Sequence, residues 1–375
     1  MAITKIDVET FLSFGFQYPV LDVRSEGEYQ HAHIPGAVSV PLFNNEERKI
    51  VGTAYKQESK QKAIKLGLAI FGRKMVQLVE TVESLLHQLN SNSKTAAKAI
   101  VVHCWRGGMR SGGVAWLLDL YGFRVFTIIG GYKAYRRWSL QQLEKEYRLH
   151  VVGGFTGSNK TNVLHELKKL HHAVIDLENL ARHKGSAFGN IEMIPQPSQE
   201  MFENLLALEL KKAEDSGKLT DDRNELPSTV NNQLPIPIWL EDESQRIGLV
   251  TIPNAFYKLM RSQPVYFLEV PFELRLQHII AGYGKADKKE LINAIIRIQK
   301  RLGGLETKMA VNYLLEDNVK ESFSILLKYY DKQYLKGLNS RENVNDPLLK
   351  LECATVDPVK NARCIIAKQL EKEHA

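Results

Sequence analysis

Two short runs in this chain of 375 residues carry residue types that can do chemistry at a meaningful spacing. In the first, Cys104 follows the apolar run AIVVH and precedes Trp105, Arg106, Gly107, Gly108, Met109, Arg110 and Ser111, after which a helix is expected. A loop that leaves a parallel strand and enters a helix lies where α/β folds bind ligands. Two glycines let such a loop turn its amides inward, and the helix dipole and Arg110 add positive potential. The same field stabilises a thiolate, a nucleophile that can attack or carry a group attached to an anion. A lone cysteine after a strand is more often a core residue. The adjoining glycines and arginines make Cys104, with Arg106 and Arg110, the candidate catalytic set.

The second run is Gly154-Phe155-Thr156-Gly157-Ser158-Asn159-Lys160-Thr161. Its spacing fits the phosphate-binding pattern G-x-x-x-x-G-K-[ST], with Asn159 at the last glycine position. Gly154, Gly157, Ser158, Asn159, Lys160 and Thr161 would surround a phosphate. Lys160 would reach its outer oxygens, and Thr161 would be the metal ligand, to magnesium. Asparagine tolerates positive φ, so the backbone path is expected to survive. Its side chain would either crowd the phosphate or donate to it. Asp176 and Glu241 follow later apolar runs and would stand beside the phosphates, holding magnesium directly or through water. A solvated strand end is the plainer reading of both.

The elements that position these runs alternate. PVLDV (19–23), AVSV (37–40), AIVVH (99–103) and FRVFTII (123–129) read as strands, and SEGEYQHAH (25–33) opens with a capping box, Ser25 and Glu28. Residues 41–60 read as a long polar connection. A helix with apolar positions from Met75 to Leu89 leads to a polar turn, SNSKTAAK (91–98). SGGVAWLLDLYG (111–122) reads as a helix stopped by Gly122. Such repeats indicate an α/β protein with a mostly parallel sheet covered by helices. A second strand, glycine-rich turn and helix begin at Leu149. Further strands are expected at 173–177, 235–240 and 264–270, and helices dominate from about Glu273. The domains expected are 1–140 and 141–375.

Composition bounds the rest. With 44% hydrophobic and 25% charged residues the chain should fold into packed domains. Three cysteines, Cys104, Cys353 and Cys364, exclude a disulfide framework and a paired metal-ligand spacing. The start MAITKIDVETF has no basic stretch followed by an apolar run, and no window holds eighteen uninterrupted apolar residues. A cytoplasmic location without membrane attachment is expected. The net charge of +7 is uneven: residues 1–150 hold 20 Lys+Arg against 13 Asp+Glu, and residues 151–375 hold 30 of each. The basic excess suggests a polyanionic partner for the first domain. Lys133, Arg136, Arg137 and Trp138, interleaved with Tyr132 and Tyr135, could meet phosphates and stack an unpaired base. His183 and Lys184 form a second basic turn.

D22-V-R-S-E-G-E-Y-x-x-A-H-I-P-G-A, running from Asp22 to Ala37, followed by Cys104 on its loop, resembles the rhodanese-like family. Asp22 and Arg24 would then support the loop. HCWRGGMRS also has the cysteine, any five, arginine spacing of cysteine-dependent phosphatases, so a rhodanese-like phosphatase with a nucleotide-binding regulatory domain is the alternative. The combination is more specific. CWRGGMRS (104–111), GGFTGSNKT (153–161), VIDLENLARHKGSAFG (174–189) and WLEDESQRIG (239–248) together resemble the bacterial tRNA 2-selenouridine synthase family over essentially the whole chain. The resemblance implies a rhodanese-like domain fused to a P-loop NTPase-like α/β domain with a helical C-terminal region. It implies exchange of sulfur for selenium in the wobble 2-thiouridine of tRNAs for Lys, Glu and Gln. Selenophosphate and geranyl diphosphate would be co-substrates, with an S-geranyl intermediate.

Overall fold

A computed structural model of the chain describes residues 3–14, 17–90, 99–191, 193–221, 236–284, 286–341 and 348–373. The chain divides into two compact units, Met1–Gln141 and Gln142–Ala375. In chain order the first contains β1 (Thr4–Ile6), α1 (Val8–Ser13), β2 (Val20–Asp22), α2 (Glu26–His31), β3 (Val38–Ser39), α3 (Asn45–Gln57), α4 (Lys60–Asn90), β4 (Ala99–His103), α5 (Met109–Tyr121), β5 (Arg124–Ile128) and α6 (Gly131–Gln142). Its sheet has the order β1-β5-β4-β2-β3 with every neighbour pair parallel. All five residues of β4 are buried, as a strand covered on both faces requires. The apolar side chains of Ile100, Val102, Val114, Leu118 and Val125 close the core between this sheet and its helices.

Two stretches differ from the sequence reading. The polar connection before residue 60 is the helix α3, and α4 begins fifteen residues before Met75. Of the thirteen residues of α3 only Ala54 is buried, with Val51 partly buried against the core, so its apolar stripe is narrow in a polar run. It is secured by a capping box, Glu47 N–H donating to Asn44 Oδ1 at 2.8 Å and Asn44 N–H to Glu47 Oε2 at 2.9 Å. The turn expected at 91–98 lies outside the described residues.

The second unit contains β6 (Leu149–Gly154), α7 (Lys160–Lys169), β7 (Ala173–Ile175), α8 (Leu177–Ala181), α9 (Gln199–Asp221), β8 (Ile238–Glu241), β9 (Arg246–Ile247), β10 (Val250–Thr251), α10 (Asn254–Arg261), β11 (Val265–Glu269), α11 (Phe272–Tyr283), α12 (Lys288–Leu302), α13 (Gly304–Leu315), α14 (Val319–Asn339), β12 (Leu349–Glu352) and α15 (Pro358–Glu373). Its main sheet runs β12-β11-β6-β8-β7, again parallel throughout, beside a small antiparallel ribbon of β9 and β10. The strand at 173–177 stops at Ile175 because Asp176 turns the chain as the cap of α8, accepting from Asn179 N–H at 2.8 Å. The helical C-terminal region also returns a strand, β12, to the sheet edge beside β11. A core of Val152, Val163, Leu164, Trp239, Tyr266 and Leu268 fixes α7 to the sheet. A separate apolar cluster holds α11 to α14 together.

Candidate functional site

The thiol loop begins at the carboxyl end of β4 and ends in the first turn of α5. Its backbone is set by the turn before α6: Tyr132 N–H donates to the Cys104 carbonyl and Lys133 N–H to that of Trp105, both at 2.9 Å. Gly131, at φ +57°, lies so close that a Cβ there would collide with the Cys104 carbonyl. The thiol is buried and lies 3.2 Å from Ser111 Oγ. Burial alone raises its pKa. The hydrogen bond from Ser111, the amides of Ser111 and Gly108 and the charge of Arg110 outweigh that and hold it below the ordinary thiol value.

Charged side chains fasten the surroundings. Asp22, at the end of β2, and Arg24 are both fully buried, with Arg24 Nε donating to Asp22 Oδ1 at 2.9 Å and Nη2 to Oδ2 at 2.6 Å. Nη2 also donates to the Ala32 carbonyl at 2.7 Å, and the guanidinium lies 4.0 Å from the ring centre of Tyr132 on α6 and 5.8 Å from that of Trp105. Arg110 is bound to a carboxylate of the protein itself. Its Nη1 donates to Glu28 Oε2 at 2.8 Å, and Arg48 Nε lies 2.9 Å from the same oxygen. Burial raises the Glu28 pKa, but Arg110, the Ser25 amide and Arg48 bring it down to about 2. Arg106 is exposed on the loop.

In the second unit the phosphate loop joins β6 to α7. Asn159 takes the left-handed conformation, φ 66° and ψ 31°, that a glycine would supply. Its side chain neither crowds nor meets the cradle: Nδ2 donates to the Val356 carbonyl at 2.9 Å, and Oδ1 accepts from Asn162 at 2.6 Å. Two more ties come from α14. Gly154 N–H donates to the Tyr334 hydroxyl at 3.2 Å, which donates in turn to Asp242 Oδ2 at 2.7 Å. Asp331 chelates Arg275 with two bonds of 2.8 Å, and Arg275 Nη1 donates to the Thr156 carbonyl at 3.1 Å. Gly157, at φ +85°, passes close enough to Ile279 and the Arg275 carbonyl to leave no room for a side chain. Lys160 Nζ donates to the Gly154 carbonyl at 2.9 Å.

Carboxyls gather beside Thr161. Its hydroxyl donates to Glu178 Oε2 at 3.0 Å, and Glu178 N–H donates to Glu241 Oε1 at 2.7 Å. Glu241 is buried and its Oε2 has no hydrogen-bond partner among the described residues. Burial and the neighbouring negative charges raise Glu241 well above the carboxylate range and Glu243 to about 8. A hydroxyl, carboxylate oxygens and an unsatisfied buried oxygen suit a hard divalent cation. Among the described residues no three His, Cys, Asp or Glu side chains are grouped to hold a metal alone.

The family model for the tRNA 2-selenouridine synthase AAA domain matches residues 147–348, and the rhodanese-like domain model matches residues 12–137. The tRNA 2-selenouridine synthase of Bdellovibrio bacteriovorus is 34% identical over 368 residues, covering 86% of this chain and 89% of that protein. That of Marinobacter nauticus is 32% identical over 374 residues, covering 90% and 94%. With that of Nitrosomonas europaea identity is 36% over 269 residues, 71% of this chain and 63% of the relative. The chain belongs to the tRNA 2-selenouridine synthase family.

Within this tRNA 2-selenouridine synthase fold, Cys104, Arg110, Asp22 and Arg24 lie in one connected cluster, and Lys160, Thr161 and Glu241 in another. Asp176 caps α8, its Oδ2 meets His165 Nε2 at 2.7 Å, and its charge acts on Glu178 and Glu241. The carboxylate that does reach Thr161 is Glu178, which the sequence reading missed because it sits inside a helix and not at a strand end. Also missed were Ser111 and the Gly130-Gly131 turn on the thiol side and Tyr334, Arg275 and Asp331 on the phosphate side. The last three lie over a hundred residues downstream of the loop they hold.

Two expectations for RNA contact are corrected. Tyr132 and Tyr135 are fully buried and Trp138 is 8% exposed, so their rings pack inside α6 and cannot stack a base. Lys133 and Arg137 remain exposed and Arg136 half-buried. His183 is 8% exposed, its ring pressed against Gly189 and Gly248, and only Lys184 of that turn is exposed. Among the described residues no helix is long and apolar enough to cross a membrane.

Two measurements check this geometry. Alkylation of Cys104 should reach half its maximal rate at a lower pH than a free thiol, because a depressed pKa exposes thiolate earlier as pH rises. Ser111→Ala should move that midpoint upward, and an unmoved midpoint would remove the hydroxyl from the account. In the second unit, Asn159→Gly keeps the backbone and loses the tie to Val356, while Asn159→Asp sets an acceptor against that carbonyl. Both should weaken pyrophosphate binding with magnesium about 2- to 10-fold in titration calorimetry, the worth of one hydrogen bond. Equal or tighter binding by Asn159→Gly would show that the side chain merely fills the glycine position.

Proposed function

We propose that this protein exchanges sulfur for selenium in the wobble 2-thiouridine of tRNAs for Lys, Glu and Gln, with selenophosphate as donor, through an S-geranyl intermediate formed from geranyl diphosphate. The observation that carries this is the pairing, on one chain of the family, of a thiol with a depressed pKa and a phosphate loop tied into shape before any ligand arrives. Catalytic roles go to Cys104, with Arg106 and Arg110 supplying positive potential at its loop, and diphosphate binding to Gly154, Gly157, Ser158, Lys160 and Thr161. Asn159, Asp22, Arg24, Glu178 and Glu241 support these groups. Lys133, Arg136, Arg137 and Lys184 are left as the basic side chains for tRNA in the two runs first singled out.

In geranyl transfer the thiouridine sulfur attacks the carbon bearing the diphosphate, and the C–O bond breaks. Lys160 leaves the Gly154 carbonyl to meet the departing charge, and the loop amides need no rearrangement. Magnesium, held by Thr161 with Glu178 and Glu241, would neutralise the diphosphate further. Alkylation turns sulfur into a leaving group: selenium of selenophosphate, held at the thiol loop, attacks C2, the C–S bond breaks and geranylthiol departs, and hydrolysis of the Se–P bond then releases phosphate and leaves the selenouridine. The phosphatase alternative needs Arg110 to clamp a phosphate, but here its guanidinium is bound to Glu28.

Lys160→Ala should lower geranyl transfer by about 10²- to 10³-fold, as loss of a charge-stabilising donor does. Selenation of tRNA already geranylated should survive. Cys104→Ser should do the reverse and accumulate the S-geranyl nucleoside. Mass spectrometry of digested tRNA reads both steps, and normal geranylation by Lys160→Ala would separate the phosphate loop from this chemistry.

A further inference from the structure

The basic excess of the first unit is concentrated in one place. Residues 45–74 hold eight Lys+Arg against three Asp+Glu, a surplus of five, whereas residues 1–141 as a whole hold 18 against 11, a surplus of seven. These thirty residues are α3 and the first half of α4, a helical hairpin between β3 and β4. Lys49, Lys56, Lys60, Lys62, Lys65 and Arg73 are all exposed. Lys49 and Lys56 are seven residues apart on α3, and Lys62, Lys65 and Arg73 follow helical spacing on α4, so each helix presents a basic line along one face. From Lys62 to Arg73 that line spans about 16 Å at 1.5 Å per residue. Of the three acidic residues, Glu47 is paired with Lys74 and Glu58 lies 3.7 Å from Lys62, leaving little to offset the field.

The hairpin is fastened to the thiol loop. Gly27 N–H donates to Asn45 Oδ1 at 2.9 Å at the start of α3. One turn on, Arg48 shares Glu28 with Arg110 of the loop. A polyanion lying along α3 and α4 would meet the loop of Cys104, where Trp105, 38% exposed, offers a stacking face that buried Trp138 does not.

We infer that the α3–α4 hairpin is the surface that binds the tRNA sugar-phosphate backbone and delivers it to the thiol loop. This rests on the proposed action on tRNA. Exposed lysines on two helices suit the sequence-independent phosphate contacts that dominate nucleic-acid affinity, and Ile50, Tyr55 and Leu68 are exposed among them.

The test is anisotropy of labelled thiolated tRNA with the full chain over a range of salt. Lys49→Glu, Lys56→Glu, Lys62→Glu and Lys65→Glu together should weaken binding at least tenfold near ~0.1 M salt. They should also flatten the slope of log affinity against log salt by about 3, since each lost phosphate contact removes ~0.7–0.9. Lys→Gln at the same positions covers the case in which the reversed helices come apart. An equal charge change at exposed Lys300, Lys308, Lys320 and Lys332 of the C-terminal helices should leave the slope as in the parent. An unchanged slope in the hairpin variants, or an equal loss in the control, overturns the surface while leaving tRNA as substrate. A parent chain that binds no tRNA at all overturns the proposed function and the surface with it.

Discussion

The buried guanidinium of Arg24 is the constraint on which the thiol-bearing unit depends. A charge with 1% exposure is tolerated only where its donors are met, and Arg24 meets a carboxylate, a backbone carbonyl and an aromatic face. Those partners come from β2, the segment after α2 and the start of α6. Removing either member of such a pair leaves an uncompensated buried charge, which costs about 3–5 kcal/mol. The turn that Tyr132 begins is the one whose amides hold the carbonyls of Cys104 and Trp105. The position of Cys104 thus follows from a buried ion pair beside it.

A comparable division of labour operates in the second unit. A phosphate loop exposes several backbone donors to a ligand, and keeping it in that shape opposes chain entropy. Here the loop is tied at Gly154, Thr156 and Asn159 by groups from α14, α11 and the segment before α15. The C-terminal helices therefore hold the shape of the loop, which reduces the freedom such a loop would lose on binding a phosphate. Asn159 fits this scheme. At its φ of 66° asparagine is among the few side chains tolerated, and its amide adds a tie that glycine lacks.

Electrostatics sets the two units apart. Around Cys104 the local sum is positive enough to depress a buried thiol. Around Thr161 three glutamates crowd together, and burial above all raises their pKa values. Glu28 shows the opposite balance. Its contribution to stability is complete above the ordinary value of 4.5 and is lost as pH falls toward about 2.

The sequence by itself determined the parallel α/β architecture, the two loops and the family, because β-branched runs, glycine spacing and a Lys-Thr pair are local signals that need no knowledge of contacts. It also determined that Asn159 could take a glycine's backbone conformation. Only the tertiary structure decided where each side chain goes. The run from Tyr132 to Trp138 reads alike whether its rings face water or the core, and the fold buries them. Helix α3 stayed hidden because its apolar stripe is short and set in a run of polar residues. Glu178, Tyr334, Arg275 and Asp331 carry no mark in the linear sequence, since their importance arises from chain segments that meet only when the sheet and the C-terminal helices pack.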